Sequence, residues 1–484
     1  MEDVSIGCLN SPFTIHHSPF LMPVSAARIA AFEVLRRVDL GRSYAVELLQ
    51  RREVSGLKEA DRRLATELVM GVLRWRGELD FQIERLSQRS LKRLDPEVAA
   101  ILRMGVYQIR FLTKVPKAAA VNEAVELCKA ARKRSTAGLV NAVLRKCSPP
   151  ARPLTTTPFD GLTAGERDSL RRTVPAWLLE RWAGRTWPMG KPRESEPAAE
   201  MALRLAWASV QVPRVTLRIT GKSANLEQLR RDLAGEGIST QLGVSAPQAL
   251  VVESGSILGS KALREGRVVI QDEGSQLVAE LLAPQAGQKV LDLCAAPGIK
   301  TGQLTQALGK GTLVACDVSG VRLRTLVKLL ASQVPPEVGL HIVRLDATRP
   351  LPFRALFDRI LLDVPCSGTG TLARNPEIKW RLQAEDIGRL GGTQTNMLER
   401  ALEVLAPGGR LVYATCSLEP EENQEVVEKV LAGAGGFRVL TRAELASEFP
   451  WVKDLFDAQG YFRTRPDLHG MDGFFAAVIH REIG

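Results

Sequence analysis

Between residues 287 and 415 the chain repeats one local pattern that few folds accommodate, a short β-rich run followed by a stretch that reads as helix. The runs are 290–294, 313–317, 342–346, 360–363 and 411–415. Strands that alternate with helices predict a mostly parallel sheet covered on both faces. Four of the runs end at or beside a polar side chain, namely Asp317, Asp346, Asp363 and Cys416. A doubly wound sheet binds its ligands at the carboxyl ends of its strands, so these groups are expected to line one crevice.

The 484 residues are too many for one core and imply about three domains. Ahead of the alternating region, Ala27, Ala30, Ala31, Val34, Leu35 and Val38 recur at helical spacing, as do apolar positions in 61–73, 96–111, 121–131 and 137–144. Residues 25–147 therefore read as an all-helical bundle. The proline-rich stretch 148–159 is a linker. Residues 160–268 read as a small α+β middle domain, with a helix at 175–182, strands at 215–219 and 250–253, and a helix at 226–233 between them. Residues 269–484 form the α/β domain.

Residues 1–24 read as an unstructured leader within which Met22 is an alternative start. The uncharged run from Val4 to Ala27 has the length of a membrane span, but Pro12, Pro19 and Pro23 interrupt it and His16 and His17 are polar. Acidic Glu2 and Asp3 are wrong for a signal peptide. Cysteines 8, 128, 147, 294, 316, 366 and 416 contain no CxxC pair, so neither a disulfide framework nor a metal site is expected, and the thiols suit a reducing cytoplasm. Net charge is +11, and residues 25–147 hold 25 Lys and Arg against 14 Asp and Glu. The bundle thus carries the basic excess, which suits a phosphate backbone as partner; a merely solvated surface is the alternative.

Two places in the α/β domain invite chemistry. Leu291-Asp-Leu-Cys-Ala-Ala-Pro-Gly298, followed by a helix from Lys300, is a strand, a turn of small residues and a helix start. Small residues admit a ligand close to the backbone, and the helix N-terminus favours an anionic group. The segment is neither a GxGxxG fingerprint nor a P-loop, which disfavours an NAD enzyme. Asp317, about twenty residues on, stands where doubly wound folds place an acid for ribose hydroxyls, and Asp346 suits an adenine amine. Successive acids favour a nucleoside ligand.

Cys366, in Leu362-Asp-Val-Pro-Cys-Ser-Gly-Thr-Gly370, and Cys416, in Val412-Tyr-Ala-Thr-Cys-Ser417, follow apolar strands at the crevice edge. Cys128, Cys147 and Cys316 read as buried hydrophobes. Cys416 precedes Glu419, Pro420 and Glu421 at the start of a helix, a setting that favours thiolate. Carbon 5 of cytosine becomes nucleophilic once a thiolate has added to carbon 6, and an acid beside ring nitrogen 3, for which Asp363 is placed, favours that addition. These residues do not say which cysteine attacks.

Asp292-Leu-Cys-Ala-Ala-Pro-Gly298 with Lys300, Asp317, Asp346, Asp363-Val-Pro-Cys-Ser-Gly368 and Thr415-Cys-Ser417 resembles the NOL1/NOP2/Sun family of RNA 5-methylcytosine methyltransferases. Asp61-Arg-Arg-Leu-Ala-Thr-Glu67 and Asn141-Ala-Val-Leu-Arg145 resemble the NusB fold, and the pairing points to the bacterial 16S ribosomal RNA members of the family. The resemblance implies a Rossmann-like domain that binds S-adenosylmethionine through Cys294, Ala295, Ala296, Pro297, Gly298, Ile299, Lys300, Asp317, Asp346 and Asp363. It implies that Cys416 is the nucleophile and that Cys366 assists release of the product. It further implies an RNA substrate, no DNA, membrane or metal, and a monomer. Ile299 stands where the family usually has the second glycine of Gly-Gly-Lys. Leu217-Arg-Ile-Thr220 stands for the family's Leu-Arg-Val-Asn, in a domain expected to touch RNA. A non-catalytic RNA-binding protein is the rival reading, disfavoured by the intact cysteines and acids.

Overall fold

The computed structural model describes residues 24–41, 43–150, 157–185, 197–221, 225–331 and 333–483. Residues 1–23 of the expected leader, with Cys8 and Met22, and residues 151–156 of the linker lie outside them. The chain divides into two compact units between Thr173 and Val174, so the stretch expected as a middle domain, 160–268, is shared between the two.

The first unit is helical, with principal helices Ala26–Asp39, Glu59–Ser87, Pro96–Phe111, Lys117–Ala130 and Ala137–Lys146. Pro96 occupies the first turn of its helix, and the Asp95 carboxylate accepts the Glu97 N–H at 3.0 Å, so cap and proline together set that start. The helix expected over 61–73 continues to Ser87 because Trp75, Leu79 and Ile83 prolong its buried stripe. Glu78 and Gln82 interrupt the apolar pattern yet are buried as well: Gln82 donates to Glu78 at 2.7 Å, and Arg172 pairs with Glu78 at 2.7 Å. Arg103 is likewise buried and grips Asp80 through two hydrogen bonds of 2.6 and 3.0 Å. Cys128 and Cys147 are buried, as expected of structural thiols.

In the second unit, Thr216–Ile219 (β1), Ser239–Leu242 (β2), Ala249–Ser254 (β3) and Val268–Ile270 (β4) form an antiparallel sheet in the order β2-β3-β1-β4. Two of these strands were not read from the sequence, because each is only three or four residues long and β2 is largely polar. The segment Leu217-Arg-Ile-Thr220 is the central strand β1, and its first three side chains are buried. Arg218 donates to Gln271 at 2.7 Å and to Gln306 at 2.9 Å, and burial brings its pKa down to about 10. Most of this motif is thus packed inside the unit, in the stretch where the resemblance had placed a domain that touches RNA.

The second sheet comprises Lys289–Asp292 (β5), Gly311–Asp317 (β6), Val338–Arg344 (β7), Phe357–Asp363 (β8), Leu405–Thr415 (β9), Phe437–Val439 (β10), Phe462–Arg463 (β11) and Phe475–Arg481 (β12). Its order is β10-β12-β9-β8-β5-β6-β7, with β11 beside β12. Strands β5 to β9 are mutually parallel where paired, while β12 runs antiparallel to β9. The sheet is therefore mixed at one edge. Alternation explains its two covered faces: Leu361, Val412 and Ala414 join one core, while Ile360, Leu362, Leu411 and Tyr413 join the other. The chain winds outward from β5 through β6 and β7, then returns to place β8 on the other flank of β5. The winding reverses between β5 and β8, and it is at the carboxyl ends of such strands that this kind of sheet binds its ligands.

The bundle supplies a test in which propensity and packing oppose each other. A Cβ on Gly71, inside helix Glu59–Ser87, would collide with the ring of Tyr107 from helix Pro96–Phe111. Alanine gains about 1 kcal/mol of helix propensity, but a displaced buried ring typically costs about 1–3 kcal/mol, so Gly71→Ala should be net destabilising. Urea unfolding that showed a stabilised variant would contradict this packing.

Candidate active site

The turn after β5 is stitched to both neighbouring strands. Leu293 N–H donates to the Leu361 carbonyl of β8 at 3.1 Å, and Ala295 N–H to the Cys316 carbonyl of β6 at 2.8 Å. The turn closes on Gly298, whose φ of +108° and distance of 2.9 Å from a built Cβ to Leu326 Cγ demand glycine. Gly298 caps helix Ile299–Leu308. Ile299 is the first residue of that helix and lies outside the positive-φ region, so its backbone does not require glycine. Ala295 and Ala296 are buried, Cys294 is partly exposed and Pro297 lies open on the rim.

Carboxylates surround this turn. Asp292 is buried and accepts the Thr301 hydroxyl at 2.8 Å. Burial is the main reason its carboxyl is pushed up to about 7, with Asp363 adding repulsion and Thr301 and Lys300 opposing it. The Cys294 thiol is raised well above its usual range, by burial first and then by Asp363, Asp292 and Asp317.

Asp317 ends β6, where Oδ1 accepts the Ser319 N–H at 2.8 Å and Oδ2 faces Arg322 at 3.4 Å. Asp346 lies two residues beyond β7, not within it, and is half-buried. Its Oδ1 accepts the Thr348 hydroxyl at 2.7 Å and N–H at 3.0 Å, bonds that hold the carboxyl below its usual range.

Asp363 ends β8 and accepts a 2.8 Å hydrogen bond from Lys300 Nζ. Burial works to lower the Lys300 ammonium, but Asp363, Cys416 and Asp292 outweigh it and the group is held above the usual lysine range. Its Nζ also sits 5.2 Å over the ring of Phe474.

The two candidate cysteines come together. Cys366 Sγ lies 3.3 Å from Cys416 Sγ, because β8 and β9 are parallel neighbours and each cysteine follows its strand. The hydrogen bond to Cys416 is the main reason the Cys366 thiol is raised well above its usual range, followed by burial and the charges of Cys416, Glu422 and Asp363. Either sulfur can donate in this contact. The expected helix at Cys416 starts only at Gln424, after the 3-10 turn Pro420–Glu422. The charge near Cys416 is Lys300, in place of a helix end. Cys316 is buried in β6.

Sequence reasoning missed the groups that hold these loops, chiefly Glu422, Ser367 and Ser417. Glu422 reads locally as one of several charges at a helix start, and only tertiary pairing sets it apart.

The residues fit S-adenosylmethionine in kind. The crevice offers acceptors at Asp317 and Asp346 for hydroxyl and amine donors, a small-residue turn at Ala295 and Ala296, and carboxylates at Asp292 and Asp363 beside which a sulfonium cation is favoured. Among the described residues no cluster of three or more His, Cys, Asp or Glu could hold a metal.

Asp292 also makes stability depend on pH. Its carboxyl titrates near 7 when folded against an ordinary 3.8, so stability present below about 4 is lost as pH rises through about 7. In Asp292→Asn that loss should shrink, and urea unfolding at pH 5 and pH 8 should show a flatter profile than wild type. Parallel profiles would mean that Asp292 ionises normally.

Comparison with known proteins gives the arrangement its family. Residues 279–480 match the family described as 16S rRNA methyltransferase RsmB/F, and residues 25–149 match the NusB family. The ribosomal RNA small subunit methyltransferase B of Pseudomonas putida is 34% identical over 462 residues, covering 94% of this chain and 97% of that protein. The Vibrio cholerae protein of the same name is 32% identical over 468 residues, covering 96% and 98%. The crystal structure of PH0851 superposes with a TM-score of 0.75 at 24% identity, covering 95% of this chain and 99% of that one, a likeness of fold. The chain belongs to the RsmB/F family of 16S ribosomal RNA methyltransferases and carries a NusB-family domain ahead of its catalytic domain.

Proposed function

We propose that this protein methylates carbon 5 of a cytosine in 16S ribosomal RNA through a transient bond between Cys416 and carbon 6 of the base. The observation that carries the reading is the pair of thiols 3.3 Å apart, beside an Asp363–Lys300 pair of 2.8 Å. S-adenosylmethionine, the family's methyl donor, supplies an electrophilic methyl group. Asp317 and Asp346 would bind its nucleoside part, and the turn from Cys294 to Lys300 would receive the remainder.

The chain's own residues account for the other requirements. Cys416 adds to carbon 6 as thiolate while the Lys300 ammonium passes a proton through Asp363 to ring nitrogen 3, so the electron pair of the former double bond reaches carbon 5. After methylation, loss of the carbon-5 proton to solvent re-forms the double bond and expels Cys416 as thiolate, and the nitrogen-3 proton returns to the Asp363–Lys300 pair. Cys366, which keeps its proton, donates a hydrogen bond to that departing sulfur. RNA is gripped through the helical domain, whose surface exposes Arg51, Arg52, Arg89, Lys92, Arg93 and Lys117. The six described cysteines are free, in keeping with a cytoplasmic enzyme. The reading is of a monomer with neither DNA nor membrane as partner.

Methyl transfer from labelled S-adenosylmethionine to small-subunit RNA tests the assignment. Cys416→Ala should abolish transfer and leave cofactor affinity near wild type. Cys366→Ala should accumulate a protein–RNA band that survives denaturing gels and disappears on nuclease treatment. Turnover in Cys416→Ala, or a band from that variant and none from Cys366→Ala, would reverse the roles. Asp317→Ala removes a charge-assisted hydrogen bond, so calorimetry should show S-adenosylmethionine binding weakened by about 1.5–3 kcal/mol, roughly 10- to 150-fold. Unchanged affinity would remove Asp317 from the site.

A further inference from the structure

We propose that Glu422 is a positioning residue that sets the separation of the two thiols, tying the loop that carries Cys366 to the loop that carries Cys416 through one buried carboxylate. The kinetic consequence rests on the roles proposed above for the cysteines; the geometric claim does not.

Glu422 is completely buried. Its Oε1 accepts the Ser367 N–H at 2.8 Å and Gln394 Nε2 at 3.1 Å, and its Oε2 accepts the hydroxyls of Ser367 and Ser417. Ser367 directly follows Cys366, and Ser417 directly follows Cys416, so one carboxylate holds the neighbours of both thiols. The two hydroxyls are themselves 3.0 Å apart. Gln394 Nε2 also reaches the Pro365 carbonyl at 3.0 Å, and the Tyr413 hydroxyl donates to the Glu422 carbonyl. A backbone bond from Gly370 N–H to the Cys416 carbonyl, 2.9 Å, runs between the same two loops.

Burying a carboxylate is costly unless its lone pairs are filled, and this one accepts from four donors. Burial raises the Glu422 carboxyl while those donors work the other way. Glu419 is equally buried, but its partners Arg181, Arg185 and Trp182 hold the Cys416 loop alone. Glu422 spans both loops. Glutamine can occupy the same place, because serine hydroxyls rotate to accept from its amide.

The test uses the full chain and the oxidant diamide. Cys366 and Cys416 form a sulfur–sulfur bond, giving two electrons and two protons to the azo group, which becomes the hydrazine. Closing 3.3 Å to a disulfide length of about 2.05 Å makes the rate a gauge of how the loops are held. Peptide mapping should show Cys366–Cys416 cross-linking at least about 10-fold slower in Glu422→Ala and within about 3-fold of wild type in Glu422→Gln. In methyl transfer, Glu422→Ala should lose at least about 30-fold in kcat with KM for S-adenosylmethionine nearly unchanged, and Glu422→Gln should recover most of the loss.

Wild-type cross-linking in Glu422→Ala overturns the inference, as does equal slowing in the glutamine variant. If circular dichroism shows the alanine variant unfolded, Glu422→Asp, one methylene shorter, takes its place, and wild-type cross-linking in that variant overturns the inference equally. Slowed cross-linking with unaffected kcat upholds the positioning and overturns the cysteine roles. Unchanged cross-linking with lost activity does the reverse.

Discussion

Parallel pairing of β5 with β8 is the constraint from which the candidate active site follows. Val290, Leu291 and Asp292 lie opposite Arg359, Ile360 and Leu361, so the turn after one strand and the loop after the other leave the sheet at the same level. That register brings Lys300 within 2.8 Å of Asp363 although 63 residues separate them. The adjacent β8–β9 pairing, with Asp363 opposite Ala414, extends the same edge to Cys416. A slip of one residue in either pair would turn these side chains to the other face of the sheet.

The electrostatics of the edge follow from that convergence. Asp292, Asp317 and Asp363 act together on Cys294, and Lys300 is held protonated among Asp363, Cys416 and Asp292. Burial and then these acids raise Cys294, whereas Cys366 is raised first by its hydrogen bond to Cys416 and then by burial. The meeting of two cysteines 50 residues apart is thus an outcome of the parallel pairing of their strands.

Rigidity at the edge comes from buried charges used as fasteners. Arg374, a few residues after Cys366, donates to Asp472 at 2.7 Å and to Asp272 at 2.8 Å, which joins the catalytic loop to the exit from β4 and to the segment before β12. Asp472, also the neighbour of the Phe474 that lies under Lys300, has its carboxyl pushed up to about 7 by burial first and Asp272 next, against Arg374. Charges buried this deeply add little net stability, yet removing one partner leaves the other stranded. They hold geometry.

What the sequence by itself determined is local and periodic. The alternation of strand and helix, the small-residue turn from Cys294 to Gly298, the acids at Asp317 and Asp363 and the helical spacing of the bundle follow from side-chain period and turn chemistry, which neighbours along the chain dictate. The long helix through Glu78 and Gln82, the short strands β2 and β4, and the antiparallel β12 were not legible, because their stability comes from partners far away in sequence. For the same reason the strand expected at 215–219 gave no sign that β1 is central in its sheet. Only tertiary structure decided that Asp363 pairs with Lys300, that Cys366 lies against Cys416, and that Glu422 fastens both loops, since a hydrogen bond across 50 or more residues leaves no trace in either segment alone.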